Sequence, residues 1–201
     1  ANGRAIDRAP QLVNDDRQGN QTRPRVAALE DGGYVVVWES DSLGRRGGIA
    51  GRLFESTGAP RTDEISLDDG RGPDVAVQHG GDIVVSWSQE MTGGAVGSRV
   101  LAHRISLQGT PIGNEIVLAI GAPRTVRVRL AALDNGNFAV AYEFPDHLAG
   151  YGVLVQRLRQ RGPMWGHSVR MERVIDGDQP LDKAIEVIED QPMTMHRLPS
   201  Y

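Results

Sequence analysis

The chain has 201 residues, with 22 Lys or Arg, 26 Asp or Glu, no Cys and a formal net charge of −4. Its hydrophobic fraction of 39% is ordinary for a folded soluble domain and argues against disorder. The composition excludes a disulfide framework and a cysteine-ligated metal site, and gives no electrostatic reason to expect a nucleic-acid partner. The apolar runs are far shorter than the roughly 20 residues that a helical membrane span needs.

The first predicted element is a single strand over residues 3–12. Its glycine precedes its leucine by nine residues, as Gly58 precedes Leu67 and Gly109 precedes Leu118. Those two later pairs close units of an internal repeat. The first strand is therefore predicted to be an outer strand that lacks the rest of its unit.

Three units of about 50 residues follow, at approximately 21–67, 70–118 and 125–171. In each, a short apolar strand leads through a tight glycine-containing turn into a second strand rich in β-branched and aromatic residues. Such turns need residues that tolerate positive φ. A third strand, a turn and a fourth apolar stretch complete the unit. The repeated structural positions are Trp38, Trp87 and Tyr142 on the second strand and Gly58, Gly109 and Gly162 at the last turn.

Four short antiparallel strands repeated at this period are typical of β-propeller blades. The sequence predicts an all-β fold of three blade-like, four-stranded antiparallel repeats within residues 1–171. Propellers usually close with about four to eight blades. Three units therefore predict an incomplete ring, a ring completed by oligomerisation or by a partner, or an open array.

The units follow a pattern close to P-x-V-A-x-L-x-D-G-G-F-V-V-x-W-x-S-D, best seen in residues 21–67 and echoed at 109–116 and 156–158. This repeat resembles one of large secreted bacterial proteins, including RTX-like surface proteins and adhesins. The resemblance implies a bacterial protein that is extracellular, on the cell surface or periplasmic. It implies no particular activity, because such units are found in proteins of very different roles.

Residues 172–201 depart from the repeat and are predicted to form a short helix and an extended tail. Asp178 suits a helix cap and Pro180 a first turn, and the apolar residues that follow recur at helical spacing. Residues 172–190 carry a charge of −5, whereas residues 121–170 carry +4. We expect the acidic segment to be solvated, to lie on the basic third unit or to bind a partner.

Few residues suggest catalysis. Glu39 and Glu143 occupy the same position of units one and three, and they are the candidate acids of a propeller-type glycoside hydrolase. Their recurrence favours a structural role instead. The chain has no HExxH motif, nucleophile elbow, phosphate loop or dinucleotide fingerprint, so we expect that the protein is not an enzyme.

Ligand-binding candidates are also few. Trp165, which lies outside the repeated aromatic position, is the residue best suited to stack on a sugar. Arg127 and Arg129 match Arg23 and Arg25 of the first unit and predict a positive edge, of the kind that binds carboxylate or sulfate groups or is simply solvated.

Calcium would be the most suitable ion for the aspartate-rich turns at 15–16 and 68–69. However, Arg45 and Arg46 stand in a loop where the resembling repeats are rich in Asp and Gly. We therefore expect no cofactor and no metal site, with calcium as the alternative.

The sequence favours a non-catalytic secreted bacterial β-repeat module, a structural or protein-interaction subunit of a larger assembly or cell-surface protein. Its N-terminal strand and C-terminal tail are the expected contacts with a protein partner or with other copies of the chain. The alternatives are a lectin that holds a glycan and a glycoside hydrolase that uses Glu39 and Glu143.

Overall fold

A computed structural model describes residues 9–44, 47–91, 97–122, 127–146, 150–158 and 172–173. Twelve β-strands and no helix lie within these ranges, which confirms the predicted all-β class. The predicted C-terminal helix, the turn glycine Gly162 and the sugar-binding candidate Trp165 lie outside the described residues. Within the same ranges, no helix is long and apolar enough to cross a membrane.

The strands form three antiparallel sheets, as predicted, and each sheet contains four strands that are consecutive in the chain. The first sheet consists of β1 (Gln21–Ala28), β2 (Tyr34–Ser40), β3 (Gly48–Phe54) and β4 (Ile65–Asp69). The second consists of β5 (Arg71–Val77), β6 (Ile83–Glu90), β7 (Ser98–Ile105) and β8 (Pro111–Ala122). The third consists of β9 (Val128–Ala132), β10 (Phe138–Asp146), β11 (Gly150–Leu158) and β12 (Glu172–Arg173).

The first hairpin of each sheet turns on a glycine at the same repeat position. Gly32, Gly81 and Gly136 have φ values of 85°, 88° and 83°, in the left-handed region that side chains with a Cβ atom rarely adopt. The sequence pattern predicted these turns because their requirement is local. The predicted N-terminal strand is described only at residues 9–12, which do not form a strand.

The three aromatic residues of the repeat are equivalent in register. Trp38 pairs with Ala50, Trp87 pairs with Leu101, and Tyr142 occupies the matching place on β10 opposite β11. All three aromatic side chains are buried. We call the side of each sheet that carries this residue its aromatic face, and the other side its opposite face.

The sheets stack in chain order, with the aromatic face of one on the opposite face of the one before it. Trp87 and its neighbours share a core cluster with Val35 and Val37 of the first sheet. Likewise, Tyr142 shares a cluster with Val84 of the second sheet. The two interfaces therefore repeat the same geometry, in which β5 contacts both β1 and β9.

The aromatic face of the first sheet is covered in a different way. Trp38 and Phe54 form a third cluster there, and Val13 from the N-terminal segment and Leu43 from the β2–β3 loop pack against it. Tyr34 stacks on Phe54 with ring centroids 4.9 Å apart. The chain's own loops therefore occupy the place that a preceding sheet would take.

The opposite face of the third sheet has no sheet packed on it among the described residues. Because side chains alternate along a strand, this face carries Ala139 and Ala141 of β10, the neighbours of the buried Phe138, Val140 and Tyr142. Arg129, Glu143 and Val153 lie on the same face by the pairing of β9, β10 and β11. We call these five residues, Arg129, Ala139, Ala141, Glu143 and Val153, the open face.

Candidate functional site

Glu39, one of the two candidate catalytic acids, is buried at the junction of the first two sheets. Its side chain is 2% exposed. Nη1 of Arg23 donates to both carboxylate oxygens at 2.8 and 3.1 Å, and Nη1 of Arg71 reaches Oε2 at 3.3 Å. The backbone N–H of Gly72 also donates to Oε1. Burying a carboxyl group is costly unless donors pair with it, so the partners of Glu39 from both sheets make it an anchor between them.

A β-bulge brings the donors of this junction into place. The register shifts between Thr22 and Arg25 in β1 and between Arg71 and Asp74 in β5. At the same position of the two bulges, Arg23 has a φ of 53° and Gly72 a φ of 62°. The bulge in β5 turns the N–H of Gly72 towards Glu39, which illustrates how a bulge re-aims a polar group.

The junction extends to the loop at the end of β2. Nη1 of Arg71 also lies 3.2 Å from Oδ1 of Asp41, and Nδ2 of Asn20 donates to the other oxygen at 2.9 Å. The hydrogen bond from Asn20, aided by Arg71, lowers the pKa of Asp41 below its usual value. Both carboxylates that face Arg71 thus accept hydrogen bonds from further donors as well, Glu39 from Arg23 and Gly72 and Asp41 from Asn20.

A second link joins all three sheets through Asp74, a buried residue of β5. Its Oδ1 lies 3.6 Å from Nε of Arg25 on β1, and its Oδ2 accepts a hydrogen bond of 2.8 Å from the N–H of Leu130 on β9. The pairing of β1 with β2, β5 with β6 and β9 with β10 places Arg25, Asp74 and Arg129 at one repeat position.

A third link was not found by the sequence analysis. Nε2 of the buried Gln78 donates to the carbonyl oxygens of Leu133 and Asn137 at 3.1 and 2.7 Å, and so joins the second and third sheets at their first turns. The available signal was that Gln78 replaces the leucines Leu29 and Leu133 of the other two units. A lone polar residue at an apolar repeat position indicates a specific partner.

The structure does not bring Glu39 and Glu143 into equivalent surroundings. Glu143 is half-buried on the open face, and no ion pair or hydrogen bond joins it to Arg127 within the described ranges, although Arg127 matches Arg23. Arg127 is exposed, and Nη1 of Arg129 donates to the carbonyl oxygen of Val128 at 2.6 Å.

Two of the candidate calcium ligands, Asp15 and Asp68, accept hydrogen bonds from protein side chains. Oδ1 of Asp15 accepts from Arg52 at 2.7 Å, and Oδ2 of Asp68 accepts from Gln89 at 2.9 Å. In the part of the chain that the structure describes, no three His, Asp or Glu side chains are grouped so that they could hold a metal ion.

A groove of about 660 Å³ lies between the turns of the first two sheets, lined in part by Arg61 and Leu107. Arg61 donates to Glu55 at 2.7 and 2.8 Å and to Asp31 at 2.6 Å. These bonds help to lower the pKa of both carboxyl groups, in Asp31 after the hydrogen bond from the N–H of Gly33. The charged groups of Arg61, Glu55 and Asp31 are thus directed at each other.

No family model matches the chain, and no curated protein matches it in sequence.

Proposed function

We propose that this chain is a non-catalytic, propeller-like β-repeat module that binds other proteins as a structural subunit of a larger assembly. The observation that carries the proposal is the open face of the third sheet. Val153 is 55% exposed there, at the end of a stack in which each earlier sheet has its opposite face covered by the next. Because the first two sheets bury this repeat position against a neighbouring sheet, its exposure in the third sheet favours a protein interface there.

The contacts between the sheets support a propeller-like arrangement. In each sheet the four strands lie side by side in chain order. The first strands of the three sheets are neighbours, since β5 contacts both β1 and β9, and we call them the inner strands. This is how blades are arranged around a propeller axis. Three blades are fewer than a closed ring usually contains, so a closed ring would need further sheets from outside the described residues or from a partner.

The surroundings of Glu39 argue against the hydrolase alternative. Glycoside hydrolysis needs one carboxyl group to donate a proton and another to attack or activate water. Glu39 instead faces two arginines and a backbone N–H, which fill the sites through which it would act.

The burial of the repeated tryptophans argues against sugar binding at those positions. Trp38 and Trp87 lie within core clusters, where a sugar ring cannot reach them. The lectin alternative would therefore depend on Trp165, outside the described residues.

The resemblance of the repeat to those of secreted bacterial surface proteins supports an exported bacterial protein at the surface, in the periplasm or in the medium. A rigid stack of sheets with variable loops suits such a role, since the scaffold holds contact surfaces in place.

The proposal is tested by measuring the mass and composition of the particle that the chain forms in its native source. We expect it to exceed the 21.8 kDa of a single chain. Val153→Arg should reduce that mass, whereas Gln108→Arg, a change at an exposed turn of the second sheet, should not. A native particle that contains one chain and nothing else contradicts the proposal.

A further inference from the structure

We infer that the open face of the third sheet binds another sheet of this repeat type, supplied by a partner chain and carrying a carboxylate on its innermost strand. The inference rests on the proposed function and deepens it by naming the chemistry of the partner. It follows from comparing three residues of the open face, Val153, Arg129 and Glu143, with the residues at the same positions in the two interfaces that are already filled.

The apolar centre of the face gives the first comparison. Val153 pairs with Glu143, just as Ile49 pairs with Glu39 and Val100 pairs with Ser88. Ile49 and Val100 are each 0% exposed because the next sheet covers them, whereas Val153 is 55% exposed. The same repeat position is thus buried in the first two sheets and exposed in the third.

The arginine of the face gives the second comparison. Arg25 of the first sheet forms an ion pair with Asp74, which the second sheet supplies. Arg129 stands at the same position of the third sheet and contacts no carboxylate among the described residues. An incoming sheet with an acid at the position of Asp74 would complete this pair.

The glutamate of the face gives the third comparison. Glu39 accepts hydrogen bonds from the N–H of Gly72 and the side chain of Arg71, both of which belong to the next sheet. Glu143 has the same position on β10 and no such donors within the described ranges. The incoming sheet should therefore present N–H groups or a basic side chain at this point.

Charge argues against the first sheet of a second copy as the occupant. That sheet has Arg25 where the second sheet has Asp74, so it would place a second positive charge against Arg129, and like charges juxtaposed at an interface are costly. Its aromatic face is moreover already covered by Val13 and Leu43. A different polypeptide with an acidic inner strand fits better.

The absence of cysteine from the chain allows a direct test of accessibility. In the 201-residue chain, Val153→Cys should react with a maleimide at a rate similar to Val26→Cys, since Val26 is 67% exposed. Ile49→Cys should react at least about tenfold more slowly, because labelling there requires local opening. A slow reaction of the Val153→Cys variant at low protein concentration would show that the chain covers this face itself, and would overturn the inference.

The partner's chemistry is tested with a synthetic peptide that has the sequence of residues 70–90, the hairpin that fills this place on the first sheet. It should slow the labelling of Val153→Cys, and the peptide with Asp74→Arg should be about tenfold less effective. Adding Arg129→Glu to the protein should reverse that preference, whereas Arg17→Glu, at an exposed residue of the N-terminal segment, should leave it unchanged.

The outcomes separate the inference from the proposed function. If neither peptide protects the introduced thiol of Val153→Cys, or if Arg129→Glu leaves the preference unaltered, the inference is wrong even where the native particle contains several chains. If that thiol becomes protected only as protein concentration rises, a second copy occupies the face, which also overturns the inference. A native particle of one chain alone removes the proposed function as well.

Discussion

Replacing Glu39 distinguishes an anchor between sheets from a catalytic acid. In Glu39→Ala, the guanidinium groups of Arg23 and Arg71 can return to water, since their side chains are 56% and 42% exposed. The N–H of Gly72 loses its acceptor at a part-buried site. Leaving such a donor unpaired costs about 1–3 kcal/mol, and a hydrogen bond to a charged group contributes about 1.5–3 kcal/mol. After a discount for the exposure of the arginines, we expect a loss of about 3 kcal/mol.

Glu39→Gln should cost about half as much, because its amide oxygen can still accept from Gly72. The assay is equilibrium unfolding in urea, followed by circular dichroism and analysed for the midpoint and slope. The matched control is Glu143→Gln, at the same repeat position but without these donors, for which we expect a change within about 0.5 kcal/mol. A loss below about 0.5 kcal/mol for Glu39→Ala would refute the anchoring role.

Three further predictions concern the backbone and the buried aromatic residues. Arg23→Gly should be more stable than Arg23→Ala by about 1 kcal/mol in urea unfolding, because both lose the bond to Glu39 but only glycine adopts φ of 53° without strain; equal stabilities would contradict the left-handed backbone. Gly70→Ala should lower stability by about 1–3 kcal/mol, because its Cβ atom would clash with Cδ1 of the buried Trp87; a melting temperature equal to that of the unsubstituted protein would be evidence against this packing. Burial raises the pKa of Tyr142 to about 12, and since the unfolded chain loses this proton first, stability should fall as pH rises from about 10 to 12. Tyr142→Phe should remove that part of the alkaline loss of stability. Because it deletes a buried hydroxyl that has no partner among the described residues, it should not destabilise the protein at neutral pH; a steeper alkaline loss in this variant would refute the assignment.

The elements that sequence reasoning predicted are those set by local chemistry. Alternating apolar residues fix the faces of a strand, and the turn glycines fix the hairpins. Comparison of the repeat units then identified Trp38, Trp87 and Tyr142 as equivalent, and their register in the sheets agrees. Because the chain contains the same residue pattern three times, a pattern too short to identify in one unit can be recognised by aligning the units.

The links between sheets could not be predicted in the same way. Asp74 and Gln78 find their partners only once the order of stacking is known, because those partners are 49 to 59 residues away along the chain. The left-handed backbone of Arg23 had one usable signal, namely the glycine at the same position of the second unit. The recurrence of glutamate at positions 39 and 143 favoured a structural role, and it did not reveal that Glu39 lies between two sheets whereas Glu143 lies on the open face.

The double contact of Asp74 has a consequence for how the protein unfolds. In a linear array in which each repeat touches only its neighbours, the end repeats can detach one at a time. Here a single carboxylate binds Arg25 on one side and the backbone of Leu130 on the other. When the last sheet detaches, Asp74 loses its hydrogen bond from the N–H of Leu130, and the strength of its ion pair with Arg25 changes as well. Unfolding of the last sheet therefore affects the first sheet, which favours a single cooperative unfolding transition over stepwise unfolding from the ends.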